Sequence, residues 1–97
     1  MFSCQKAEKD GLIKVTFTYS AEAGNSVSLA GVFNDWAPVQ LQMKYYKTKK
    51  VYSCSLKLAP GSYEYKLVVN GEWLLDESNP NFVTNDFGTL NSVAVIK

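Results

Sequence analysis

Few side chains in this sequence can carry chemistry, and the ones present point to recognition. The chain has ten lysines but no histidine or arginine, two cysteines (Cys4 and Cys54) and nine carboxylates. Without an imidazole it lacks the usual general base and the commonest metal ligand. Neither thiol has a histidine to activate it, so no catalytic residue, metal or cofactor is expected. What remains is tryptophan beside hydrogen-bonding side chains. In S-Y-E-Y-K-L-V-V-N-G-E-W (62–73), Tyr63, Tyr65, Leu67 and Val69 alternate with Ser62, Glu64, Lys66 and Val68, the period of a half-buried strand. Asn70-Gly71 follows, two residues that tolerate the positive φ angles of a type I′ hairpin.

Such a turn pairs Val69 with Glu72, Val68 with Trp73, Leu67 with Leu74 and Lys66 with Leu75. Paired residues share a face, so the tyrosines and Leu67 look into a core while Trp73 joins Lys66 and Val68 on the other side. Lys66 then stands about 7–8 Å from Trp73, one diagonal step away. A large aromatic on an open face beside a hydrogen-bond donor calls for a ligand.

The elements that hold these residues read as strands. Leu12 to Tyr19 alternates, with Ile13, Val15, Phe17 and Tyr19 inward. Val27 and Leu29 mark a strand running to Gly31. Leu41, Met43 and Tyr45 give a third, Val51 to Leu58 a fourth, and Leu90 to Ile96 the last. In G-V-F-N-D-W-A-P, Phe33 continues into the core and Asn34-Asp35 is turn chemistry. Pro38 biases Ala37 toward an extended backbone, which places Trp36 on a stiff loop. The loops are 47–50, 76–81 and 85–88. No helical period is sustained. About seven short strands with a turn every 8–12 residues predict an all-β fold, an antiparallel β-sandwich.

Composition narrows the functions. A length of 97 residues suits one domain, read as a polar leader over 1–10 and a folded module over 11–97. A net charge of +1 without arginine argues against nucleic acid, and no apolar run is long enough to cross a membrane. The first residues resemble neither a secretory signal nor a myristoylation site. Cys54 falls in phase with Tyr52, Leu56 and Leu58 as a small buried hydrophobe. With no secretory context, two reduced thiols in a cytoplasmic protein are expected.

Three blocks together carry a resemblance: V-S-L-A-G-V-F-N-D-W-A-P (27–38), P-G-S-Y-E-Y-K-L-V-V-N-G-E-W-L-L-D (60–76) and N-P-N-F-V-T-N-D-F-G-T-L-N-S-V (79–93). In order and spacing they resemble a family 48 carbohydrate-binding module, from about Val15 to Ile96. The family includes the glycogen-binding domain of the AMP-activated kinase β subunit and the N-terminal modules of starch-branching and debranching enzymes. The resemblance implies an immunoglobulin-like, early-set sandwich that binds α-1,4-glucans and brings an attached catalytic domain or a partner kinase or enzyme to them. It also implies sugar-binding roles for Trp36, Lys66, Trp73, Phe87, Thr89 and Asn91. Val32 replaces the small polar residue usual before F-N-D-W. Phe87 stands where the kinase-type domains carry leucine, so it either inserts against the glucan or lines the site.

These residue types suit a sugar. A glucose ring offers an apolar C–H face to an indole, and a rim of hydroxyls to amides, hydroxyls and an ammonium. By analogy with stacked bases each indole contributes about 1–3 kcal/mol, giving an affinity between roughly millimolar and micromolar. Two rival functions frame the test. Glycoside hydrolysis needs two carboxylates about 5–10 Å apart across one bond. Asp35, Glu64, Glu72, Asp76, Glu77 and Asp86 are available, but nothing in their pattern marks a pair, and Glu64 shares the face of Lys66. The second rival is a scaffold that keeps the fold for protein interaction, with little sugar binding.

Overall fold

The computed structural model describes residues 2–4 and 11–97. Alternating burial along Ile13–Ser20 (β2) and Val51–Leu58 (β5) puts Ile13, Val15, Phe17, Tyr52 and Leu58 inside. These strands pair antiparallel from Ile13↔Leu58 to Ser20↔Val51. Phe2–Cys4 (β1) and Lys44–Tyr46 (β4) flank them in a sheet ordered β1-β2-β5-β4.

The second sheet is built on Gly61–Val69 (β6), which lies between Val27–Gly31 (β3) on one side and Leu90–Ile96 (β9) on the other. Phe82–Thr84 (β8) pairs with β9, and Glu72–Leu74 (β7) pairs with the end of β6. The two sheets face each other across a core that includes Phe17, Leu29, Tyr65, Leu67 and Ala94. Phe17 and Tyr65 meet edge to face across it, ring centroids 5.0 Å apart. The fold is an all-β antiparallel sandwich of immunoglobulin-like character.

The β6–β7 hairpin has the expected register: Leu67↔Leu74, Val68↔Trp73 and Val69↔Glu72. Asn70 and Gly71 have φ of 52° and 83°, as a type I′ turn requires. The Asn70 side chain also accepts from the Ser26 amide at 2.9 Å, tying this turn to the one before β3.

Four features differ from the expectation. Residues 41–46 are not one strand. Gln42 bridges Ser28 of β3, and the chain then crosses through buried Met43 to join the opposite sheet as β4. Residues 82–84 form a strand that turn residues on both sides concealed. Val68, placed by parity on the open face, is buried between Ser28 and Trp73. Within the segment read as a leader, Phe2–Cys4 pair with β2, and the Phe2 ring lies 5.8 Å from that of Phe17. The rest of that segment lies outside the described residues.

Candidate functional site

Trp36 is set by an unusual turn. Asp35 and Trp36 both have left-handed backbone, with φ of 54° and 59°, and the Ala37 amide donates to the Asn34 carbonyl at 3.0 Å. This is a type I′ turn without glycine, and each left-handed residue in it costs about 1–2 kcal/mol. Buried Asn34 offsets the strain. Its Oδ1 accepts from the Gly31 amide at 2.9 Å, while its Nδ2 donates to the carbonyls of Leu29 (3.1 Å) and Ala37 (3.0 Å). Gly31 lets the segment lie close against β6, since a β-carbon there would stand 2.6 Å from the Glu64 carbonyl oxygen. Asn34 thus fixes the angle at which the indole leaves the sheet. Sequence reasoning gave it only a local turn role.

Trp73 is positioned by the Asn70-Gly71 hairpin, and Lys66 by the parity of β6. Residues 85–89 supply the rest. Their turn is closed by the Asn85 amide donating to the Thr89 carbonyl at 2.8 Å and the Gly88 amide to the Asn85 carbonyl at 3.1 Å. Phe87 stands at the tip, 92% exposed.

These segments enclose one open trough of about 680 Å³. All six residues singled out in the sequence border it: Trp36, Lys66, Trp73, Phe87, Thr89 and Asn91. So do Glu64, Asn85 and Asp86, with Val32 and residues 83–84 on the rim. A hydrogen-bonded arc runs along its floor. Lys66 Nζ donates to Thr89 Oγ1 (3.2 Å), as does Asn85 Nδ2 (2.7 Å). Asn85 Nδ2 also donates to Asn91 Oδ1 (3.0 Å), and Asn91 Nδ2 to Glu64 Oε1 (3.1 Å). Glu64 is therefore part of this arc. In the sequence Asn85 stands only as a turn residue, and its role as a hub depends on contacts that sequence order does not display.

The arrangement suits stacking and hydrogen bonding. Two indoles and one phenyl ring border the trough, and the arc supplies polar groups along it. Nucleophilic chemistry has no support. Cys4 and Cys54 are both free, and burial pushes the Cys54 thiol up to about 11, away from the thiolate a nucleophile needs. Among the described residues no three histidine, cysteine, aspartate or glutamate side chains come together as a metal site, and no helix is long and apolar enough to cross a membrane. A second concavity of about 500 Å³ lies between Thr18–Ser20 and residues 74–78, and none of the six residues borders it.

Comparison with known proteins follows the same lines. A family model described as the glycogen recognition site of AMP-activated protein kinase matches residues 13–97. The 5′-AMP-activated protein kinase subunit beta-2 of Mus musculus is 32% identical over 77 residues, which are 79% of this chain and 27% of that subunit. Subunit beta-1 of Rattus norvegicus is 34% identical over 74 residues, 76% of this chain and 26% of its own length. The chain thus spans about a quarter of the length of these relatives. Among solved structures, a maltogenic amylase from S. marinus aligns with a TM-score of 0.74 over 100% of this chain and 16% of that one. At 22% identity, that likeness is one of fold.

Proposed function

This chain belongs to the family described as the glycogen recognition site of AMP-activated protein kinase, and from that premise we propose that its trough binds α-1,4-glucan chains. The family is a recognition module and not an enzyme, and no catalytic step is assigned to these residues. The observation that carries the reading is the convergence of Trp36, Lys66, Trp73, Phe87, Thr89 and Asn91 on one trough, although they come from separate stretches of sequence.

In this reading the indoles of Trp36 and Trp73 cover the C–H faces of glucose units. Lys66, Thr89 and Asn91 meet the hydroxyl edges, and Phe87 packs against the sugar from the tip of its loop. Each stacked ring contributes about 1–3 kcal/mol. With solvent competing for the hydrogen bonds, the dissociation constant falls between roughly 1 mM and 1 μM. The module's role is then to hold a linked or partner enzyme, a kinase or a glucan-active enzyme, against glycogen, starch or maltooligosaccharides in the cytoplasm. The names of its relatives support that role.

Titration with maltoheptaose followed by tryptophan fluorescence tests the reading. Saturation in the millimolar range or below is expected, and Trp73→Ala should weaken it about tenfold or more while the domain stays folded. No response of the wild type at millimolar sugar would refute glucan binding and leave a scaffold role.

A further inference from the structure

The partners of Asn85 fix the direction of each of its hydrogen bonds. Its Oδ1 accepts from the backbone amides of Phe87 (3.0 Å) and Thr89 (3.1 Å). Backbone amides can only donate, so the orientation of the Asn85 carboxamide is fixed. Both hydrogens of its Nδ2 then go outward, to Thr89 Oγ1 and Asn91 Oδ1. All four hydrogen-bonding positions of this half-buried side chain are occupied by the protein.

The consequence falls on its neighbours. Thr89 Oγ1 receives two donors, Asn85 Nδ2 and Lys66 Nζ, and neither can accept. Its two lone pairs are filled, so the Thr89 hydroxyl hydrogen must leave the arc. Asn91 Oδ1 accepts from Asn85, which turns its Nδ2 toward Glu64 Oε1 and leaves its second amide hydrogen open. Two donors are thereby set in advance on the trough floor.

We infer that Asn85 is a positioning residue of the glucan site: it makes the Thr89 hydroxyl and the open Asn91 amide hydrogen into donors facing the trough, so that the sugar is read there through its oxygen acceptors. The inference rests on the glucan reading. It assigns Asn85 no sugar contact of its own, because that side chain has no capacity left.

Asn85→Asp separates loop shape from hydrogen-bond direction. An aspartate still accepts from the amides of Phe87 and Thr89, and so keeps the turn. When ionised it cannot donate to Thr89 or Asn91. Maltoheptaose affinity at pH 7 should drop about three- to tenfold, the equivalent of one or so net hydrogen bonds, with the unfolding midpoint close to that of the wild type. The two loop amides favour the charged form of the new carboxyl, so it stays ionised wherever the domain is folded and the deficit should persist unchanged between pH 7 and about pH 5.

Wild-type affinity in Asn85→Asp, or a loss that only follows a lowered unfolding midpoint, would overturn the inference while leaving glucan binding intact. A wild type that binds no maltoheptaose would overturn both together. Should Asn85→Asp fail to fold, Asn85→Ser keeps a short acceptor for the loop amides and removes the two Nδ2 donors to Thr89 and Asn91. A comparable loss then supports the inference, and a change within about twofold overturns it.

Discussion

Strand β6 carries a polar cluster on each face, and the two are assembled from nearly the same parts. On the inner face, Tyr65 donates to Asp76 Oδ2 at 2.6 Å and accepts from Asn79 Nδ2 at 3.0 Å. Ser92 of β9 accepts from the Asp76 amide at 2.8 Å. On the outer face, Glu64 and Lys66 reach Asn91 of β9 and Thr89, with Asn85 between them. Each cluster joins a side chain of β6, the adjacent residue of β9, an asparagine hub and a carboxylate. Each also anchors one loop, 76–81 in the first case and 85–89 in the second. Burial is what separates them. Tyr65 and Ser92 are 0% exposed, so every partner there is held by another and none is free for a ligand. The outer cluster opens onto a trough and keeps unused donors. The same vocabulary gives a lock on one side and, in the function proposed above, a reading surface on the other, because a buried polar group must be satisfied within the protein.

If burial sets the division of labour, the largest effect should come from the lock. Tyr65→Ala removes a wholly buried ring that packs on Phe17 and leaves Asp76 without a main donor. A loss of about 3–5 kcal/mol is expected, close to the whole stability of a small domain, read by urea unfolding. Tyr65→Phe keeps the ring and removes only the hydroxyl, for about 1–3 kcal/mol. The folded fraction should still bind maltoheptaose as the wild type does. A Tyr65→Phe protein of unchanged stability but weakened sugar binding would reverse the comparison.

Trp73→Ala should give the opposite outcome. The indole is 44% exposed and covers Val68, so its removal should cost about 1–2 kcal/mol, well short of Tyr65→Ala, while sugar binding falls as stated above.

Acid sharpens the contrast. Burial alone would push the Asp76 carboxyl up, yet the hydrogen bonds it accepts, those from Tyr65 and Ser78 among them, hold it below the usual carboxylate range. A folded-state value below the unfolded one means the charged form is favoured by folding. That stabilisation is complete above about pH 4, the unfolded aspartate value, and disappears as pH falls through the depressed folded value. Stability should therefore decline on acidification below about pH 4, and less steeply in Tyr65→Phe, which lacks one of the donors. Identical slopes would show that this bond does not set the carboxyl's behaviour.

The sequence and the structure agree where one residue's chemistry decides the geometry. Asn70-Gly71 specifies a turn, the turn specifies a register, and the register places Trp73 beside Val68 without further information. The alternation in β2, β5 and β6 likewise identifies the core face. Agreement ends where geometry depends on partners distant in the chain. Asn34 and Asn85 each sit in a run that says only "turn", and nothing nearby reveals that one clamps carbonyls on both sides of Trp36 or that the other joins Thr89 to Asn91. The crossing between sheets at Met43 was hidden because a residue passing between two layers is as apolar as one within a strand. Parity assigns Val68 a face and does not say whether a neighbouring indole covers it.

The smallest effect should come from Lys66, and its size bears on what kind of ligand the outer face reads. Lys66→Met keeps the aliphatic stem on β6 and removes an ammonium whose hydrogen bond to Thr89 is long and exposed, at 3.2 Å. Stability should stay within about 0.5 kcal/mol of wild type. Affinity for maltoheptaose should fall about two- to fivefold, in the range of one solvent-competed hydrogen bond. Because an α-glucan is uncharged, the ammonium acts on it as a donor and not as a charge, so the loss should be the same at 50 mM and at 500 mM salt, about a threefold change in screening length. A larger loss that fades as salt is added would mean the trough selects an anionic ligand, and the division between a lock and a neutral-sugar reader would have to be redrawn around charge.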